Sequence, residues 1–198
     1  LNLDPGGALF VVFDSRSRLQ PPPPAKETRQ ILRFADGWTL SFPKGWGAPE
    51  SVSLTGLQSW TAFDDPGIRY FSGTAEYRTT FSLEQDVLAP GRRLQLDLGA
   101  VHDVAEIEVN GRPAGILWKP PYRVDVTNLV TVGYNSLTVR VTNQWHNRLV
   151  GDSLTTPGGR FTRTNHPLPG EQNRNLMPSG LLGPVGLVGR DAAAALIF

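Results

Sequence analysis

The sequence predicts an all-β fold, a sandwich of short antiparallel strands with long irregular loops. Three observations carry that expectation. Apolar and polar residues alternate with a period of two over several short runs. Turn formers are dense, with 21 Gly and 17 Pro among 198 residues. No stretch carries an apolar stripe of helical period, which disfavours a βαβ arrangement.

Taken in order, the first strand-like run is Leu9 to Phe13, LFVVF, and it is followed by the tetraproline Pro21 to Pro24. Four consecutive prolines adopt an extended spacer and mark a boundary. Residues 1–24 therefore read as the tail of a preceding domain plus a Pro-rich linker, and residues 25–198 as the sandwich. The opening LNLDPGG is neither a secretory leader nor an ordinary start, so the chain reads as a piece of a longer protein. WTLSF, Trp38 to Phe42, alternates. Asp64 and Asp65 precede Pro66 and Gly67, a turn context. In TAEYRTTFSL, Ala75, Tyr77, Thr79, Phe81 and Leu83 share one face, while Glu76, Arg78, Thr80 and Ser82 share the other. Leu94, Leu96 and Leu98 repeat the pattern in RLQLDL, and Leu137, Val139 and Val141 do so in SLTVRV. Between these, Ile107 and Val109 alternate with Glu106 and Glu108, and Asn110-Gly111 supplies the two positive-φ residues of a type I′ hairpin. Beyond the hairpin, Trp118, Pro120, Pro121 and Tyr122 surround two residues that cannot donate to a ladder, so they mark a rigid corner between sheets. From Asp152 to Pro184 the chain is mostly Gly, Pro, Thr, Asn and Arg, a long excursion before GPVGLV closes the fold.

Charge excludes some partners. With 19 Lys and Arg against 18 Asp and Glu, no basic excess exists to neutralise phosphates, and nucleic acid is not an expected partner. No apolar run approaches the roughly 20 residues of a membrane span. Cysteine is absent, which removes disulfides and thiolate metal sites but leaves the compartment open.

Autonomous catalysis finds little support. A glycosidase needs two carboxyls about 5 to 9.5 Å apart. Glu76, Glu106 and Glu108 sit in the polar phase of alternating strands, where solvated carboxylates are the default. His102, His146 and His166 lie in neither a G-x-S-x-G nor an H-E-x-x-H context.

Four stretches carry a family resemblance: YFSGTAEYRTTF, LDLGAVHDVAEIEVNGRPAGILWKPPYRVDVT, NSLTVRVTNQWHNRLVGD and PSGLLGPVGL. Together they resemble the C-terminal β-sandwich domain of large glycoside hydrolases similar to the family 106 α-L-rhamnosidases. They are related more loosely to the sugar-binding jelly-roll domain of family 2 glycosidases and to galactose-binding-like folds. The resemblance implies a jelly-roll sandwich over residues Trp38 to Val188, catalytic carboxylates on a separate barrel of the parent chain, and a bacterial enzyme that is secreted or periplasmic. It also implies that Trp118, Pro120, Pro121 and Tyr122 belong to the fixed frame. No cofactor is required. Such folds often carry a structural calcium, and Asp14, Asp103 and Asp152 lie near predicted loops, although their spacing matches no calcium loop.

The distinctive polar cluster is NQWHNRLVGD, read as a strand end. In one reading Trp145 offers a flat face to a pyranose while Asn147, Arg148 and Asp152 bond its hydroxyls. In the other, Arg148 pairs with Asp152 to pin the long loop and Trp145 fills the core. Trp118 and Tyr122 are further stacking candidates, and Arg160 and Arg163 join Arg148 as partners for a uronate carboxylate. Two functions follow: a non-catalytic module that binds oligosaccharide or plant polysaccharide, or a structural accessory domain that packs on the parent's catalytic barrel and binds nothing alone.

Overall fold

A computed structural model describes Ala8, Phe10 and residues 29–191. The run 9–13 (apart from Phe10), Asp14 and the tetraproline lie outside the described residues. Twelve strands are described: β1 (Arg29–Phe34), β2 (Trp38–Ser41), β3 (Ser51–Leu54), β4 (Thr74–Leu83), β5 (Arg92–Asp97), β6 (Ala100–His102), β7 (Val104–Val109), β8 (Arg112–Leu117), β9 (Arg123–Asp125), β10 (Gly133–Thr142), β11 (Gly180–Gly183) and β12 (Val185–Asp191). Two short helices accompany them, α1 (Pro66–Arg69) and α2 (His146–Ser153). A six-stranded sheet runs β3-β2-β4-β10-β7-β8 and a four-stranded sheet β1-β12-β5-β9, with a β11-β6 ribbon beside them. The fold is an antiparallel jelly-roll β-sandwich of the galactose-binding-like kind.

The alternating faces fall where the period of two puts them. Ala75, Tyr77 and Leu83 of β4, Leu94 and Leu96 of β5, and Leu137, Val139 and Val141 of β10 all point into one core. Fully burying a side chain of this size contributes about 1.5 to 3 kcal/mol. β4 and β10 pair over their whole length, from Thr74 opposite Thr142 to Leu83 opposite Gly133, and form the spine of the larger sheet. At the core's centre the Tyr77 Oη accepts two hydrogen bonds, from Trp60 Nε1 at 2.6 Å and from the Leu181 backbone N–H at 3.0 Å. Gly180 lets the chain pass there: its φ is +93°, and a Cβ would stand 2.5 Å from Trp60 Nε1.

The outer face of the larger sheet is polar, and its charges are paired. Arg140 reaches Glu76 at 2.9 Å and both Glu106 and Glu108 at 3.4 Å, while Arg78 holds the other oxygen of Glu76 at 2.7 Å. The three carboxylates considered for catalysis thus surround a guanidinium.

The hairpin turn between β7 and β8 has positive φ at both central residues, 53° at Asn110 and 74° at Gly111. Asn110 also bridges to a neighbouring loop, donating to the Leu129 carbonyl at 2.9 Å and to Asn135 Oδ1 at 2.8 Å and accepting from the Ser136 N–H at 2.8 Å. Pro120 and Pro121 lie where the chain leaves β8 in one sheet and enters β9 in the other.

One expectation is corrected. The cluster at 146–153 is a helix, not a strand end, and the irregular excursion starts after it, interrupted by 3-10 turns at Pro157–Gly159 and Glu171–Asn173. The helix lacks the sequence marks of a start. Its N-cap is Trp145, with no side-chain cap bond, and the nearby Asn143 bonds Gly73, Phe71 and Ser179 instead.

Candidate functional site at one end of the sandwich

Register places the candidate residues together. Thr74, the first residue of β4, faces Thr142, the last of β10, which in turn faces Val104, the first of β7. Leu117, the last residue of β8, faces Ala105. Trp118, one residue past β8, and Trp145, three past β10, therefore emerge at the same end of the larger sheet. The two residues are 69% and 74% exposed. The reading of Trp145 as a core residue is thereby overturned, because the interior at this end is already filled by Trp60, Phe42 and Phe71, whose rings stand 4.9 to 5.9 Å apart.

A small cavity of about 120 Å³ opens at this end, lined by His102, Asp103, Gln144, His146, Asn147 and Met177 among others. The ribbon brings its two sides together, since Gly180 of β11 pairs with His102 of β6. His146 bonds the Asn175 carbonyl through Nε2 at 2.9 Å. His102, Gln144 and Met177 were absent from the sequence candidates, because only a pairing between residues far apart in the chain makes them neighbours.

The remaining candidates divide by burial. Tyr122 is only 9% exposed and its hydroxyl donates to the Asp103 carbonyl at 2.8 Å, so it is part of the corner and not a stacking platform. Burial, and then the charge of Asp103, raise its pKa above the ordinary phenol value. Asn147 and Asp152, each 1% exposed, do not face a sugar either. Asn147 clamps the loop end, exchanging bonds of 2.8 Å with the Met177 N–H and carbonyl. Asp152 clamps the other end, accepting from the backbone N–H groups of Phe161 and Thr162 at 3.2 and 2.8 Å and from the Thr162 hydroxyl. The expected Arg148–Asp152 ion pair does not form. Arg148 is 4% exposed and lies under the Phe161 ring at 4.6 Å instead. Burial pushes its guanidinium pKa down against the opposing charge of Asp152. Arg160 and Arg163 are exposed and line an open pocket of about 400 Å³ with Thr162, Thr164 and Leu168.

Among the described residues, no three His, Asp or Glu side chains stand together in a way that could hold a metal ion. Asp103 lies in the small cavity, and both oxygens of Asp152 accept hydrogen bonds from the loop. Among the described residues no helix is long and apolar enough to cross a membrane.

A two-sheet antiparallel sandwich whose longest connection, 143–179, leaves from the Trp118–Trp145 end is the architecture of the galactose-binding-like domains found in glycoside hydrolases. The chain belongs to the glycosyl hydrolase 2 galactose-binding domain-like family, whose model matches residues 63–177. It is 38% identical over 182 residues to a putative beta-glucuronidase of Formosa agariphila, covering 81% of this chain and 16% of that protein. Among solved structures it is similar to a rhamnosidase from Novosphingobium sp. PP1Y, with 37% identity, a TM-score of 0.78, and coverage of 89% of this chain and 16% of that one. A beta-glucuronidase from an uncultured Clostridium shares the fold, at 20% identity and a TM-score of 0.56, over 96% of this chain and 31% of that one. The chain thus spans about a sixth of the length of its two more similar relatives. It is a small domain of the kind found within large bacterial glycoside hydrolases.

Proposed function

We propose that this chain is a non-catalytic carbohydrate-binding domain of a larger glycoside hydrolase, holding a glycan at the loop end through Trp118 and Trp145. The carrying observation is that these two indoles stand exposed at one end of the sheet, where a small cavity with mainly apolar walls also carries His102, Gln144 and His146. A sugar ring laid on an indole buries its C–H face at little conformational cost, while His102, Gln144 and His146 can bond its hydroxyls. One stacked ring and a few such bonds support a Kd on the order of 0.1 to 1 mM, or about 4 to 5.5 kcal/mol. The relatives' names point to rhamnosidase or glucuronidase activity in the parent chain. Plant polysaccharides containing rhamnose or uronic acids are accordingly the first ligands to try. A secreted or periplasmic parent accords with polymeric substrates. Calorimetry of the chain against rhamnose-containing, pectic and xylan-type polysaccharides tests the proposal, and failure to bind any of them refutes it.

A second reading has its own support. Leu154, Phe161 and Met177 are also exposed on the loops of this end, an apolar set suited to packing against the parent's catalytic barrel. On that reading the chain binds the separately expressed barrel and no glycan.

A further inference from the structure

Further along α2 than the small cavity lies a larger one of about 400 Å³, walled by Pro66, Tyr70, Leu154, Phe161 and Arg148 among others. Its walls are mainly apolar, and Arg148 is its single charge. The Nε and Nη2 of Arg148 are buried and have no hydrogen-bond partner. Those two nitrogens form the side-on edge of the guanidinium, the edge that meets both oxygens of a carboxylate. Asp152, whose charge Arg148 feels, makes no ion pair with it and directs its oxygens to the 161–162 segment instead. Phe161 covers the flat face of the guanidinium at 4.6 Å, and a ring over that face leaves the edge unsatisfied. A guanidinium stays charged at any ordinary pH, so it cannot relieve its burial by losing a proton. Buried polar groups in folded proteins find partners, and this one lacks a partner from its own chain.

We propose that this cavity binds the uronate residue of an acidic glycan, with the sugar carboxylate on the Arg148 edge and the apolar face of the ring against Phe161 and Leu154. The volume falls in the range of small-ligand pockets, about 300 to 1,000 Å³. A carboxylate suits the site better than a hydroxyl, since only an anion with two parallel oxygens satisfies both nitrogens at once. The edge is closed to bulk water, so binding requires the guanidinium to turn toward the cavity that Arg148 lines. This proposal rests on the glycan-binding reading but names a separate subsite and a charge requirement.

The test is an NMR titration of the chain with methyl β-glucuronide, methyl β-glucoside and methyl β-glucoside 6-sulfate. The glucuronide should bind about ten-fold tighter than the neutral glucoside, or about 1.4 kcal/mol. Arg148→Met keeps the apolar stem and should erase that preference while the melting point holds or rises. Leu154→Glu, at an exposed position on the cavity wall, supplies a competing carboxylate and should erase it too. A glucuronide preference that survives both substitutions overturns the assignment. Equal binding of the sulfate ester overturns the choice of carboxylate. Binding of neutral oligosaccharides with no glucuronide preference refutes this subsite and leaves the Trp118–Trp145 reading standing, whereas absence of binding to every sugar refutes both.

Discussion

Removing one oxygen atom from the core tests how the larger sheet, Trp60 and the ribbon are joined. Tyr77→Phe keeps the ring, which stands edge-on to Trp38 at 6.2 Å, and deletes only the Oη that accepts from Trp60 Nε1 and the Leu181 N–H. Both donors then lack an acceptor in a region closed to solvent. Each buried donor left unpaired costs about 1 to 3 kcal/mol, so the expected loss is about 2 to 6 kcal/mol. Water cannot make good the loss. A Cβ on Gly180 would already stand 2.6 Å from that oxygen, and the space freed is a single atom's, too small for a water with its own partners. Urea unfolding should show a lower midpoint at unchanged slope, with a melting point lower by about 2 to 4 °C for each kcal/mol. Tyr134→Phe is the control, since its ring is exposed, and it should change stability by no more than about 0.5 kcal/mol. A loss below about 1 kcal/mol for Tyr77→Phe would refute the reasoning, because the two donors would then have found other acceptors.

Other substitutions test the site, the turn and one carboxylate. Trp118→Ala and Trp145→Ala should each abolish glycan binding by calorimetry while stability stays within about 0.5 kcal/mol, and Tyr122→Phe should do the reverse, costing about 1 kcal/mol without loss of affinity. Asn110→Ala loses three hydrogen bonds and puts a β-carbon without a polar group at a φ of 53°, so urea unfolding should register a loss of about 3 to 5 kcal/mol, with Asn110→Gly milder. Burial raises the pKa of Asp125, but hydrogen bonds from Thr127 and the charge of Arg93 outweigh it and leave the value below normal. A depressed folded-state pKa gives stability that is present above the unfolded value of about 3.9 and lost as pH falls through the folded one. Melting curves should therefore show wild type ahead of Asp125→Asn at neutral pH and the gap closing in acid below about pH 4.

Much of the sandwich was legible because its signals are local. Alternation in TAEYRTTFSL and SLTVRV specified which residues turn inward, and Asn110-Gly111 specified a turn geometry that few other pairs adopt. The helix at 146–153 was not, since eight residues hold only two turns of periodicity and its N-terminal Trp145 gives no capping mark. Site residues were legible only in part. An aromatic residue in a polar stretch looks the same in sequence whether its ring is exposed, as at Trp145, or tucked under a corner, as at Tyr122. The pairing of Arg148 with Asp152 was expected as a pin for the start of the long loop. It failed because the carboxylate was claimed first by the 161–162 backbone, a partner visible only once the loop is folded back.

The pairing of β1 with β12 governs how the domain bears tension. Arg29, where the chain enters, lies opposite Gly189, two residues before the last residue of β12, and the pairing runs inward from there to Phe34 opposite Val185. Among the described residues, the start of β1 and the end of β12 thus sit side by side at the same end of the smaller sheet. When a longer chain anchored at both sides is stretched, the load falls first on the outermost rungs of the β12 ladders, with β1 on one side and β5 on the other. The rungs break in succession, as in a zipper, and are not sheared together. Such a domain yields to a modest pull by shedding one strand, lengthening the connection before the rest of the fold gives way.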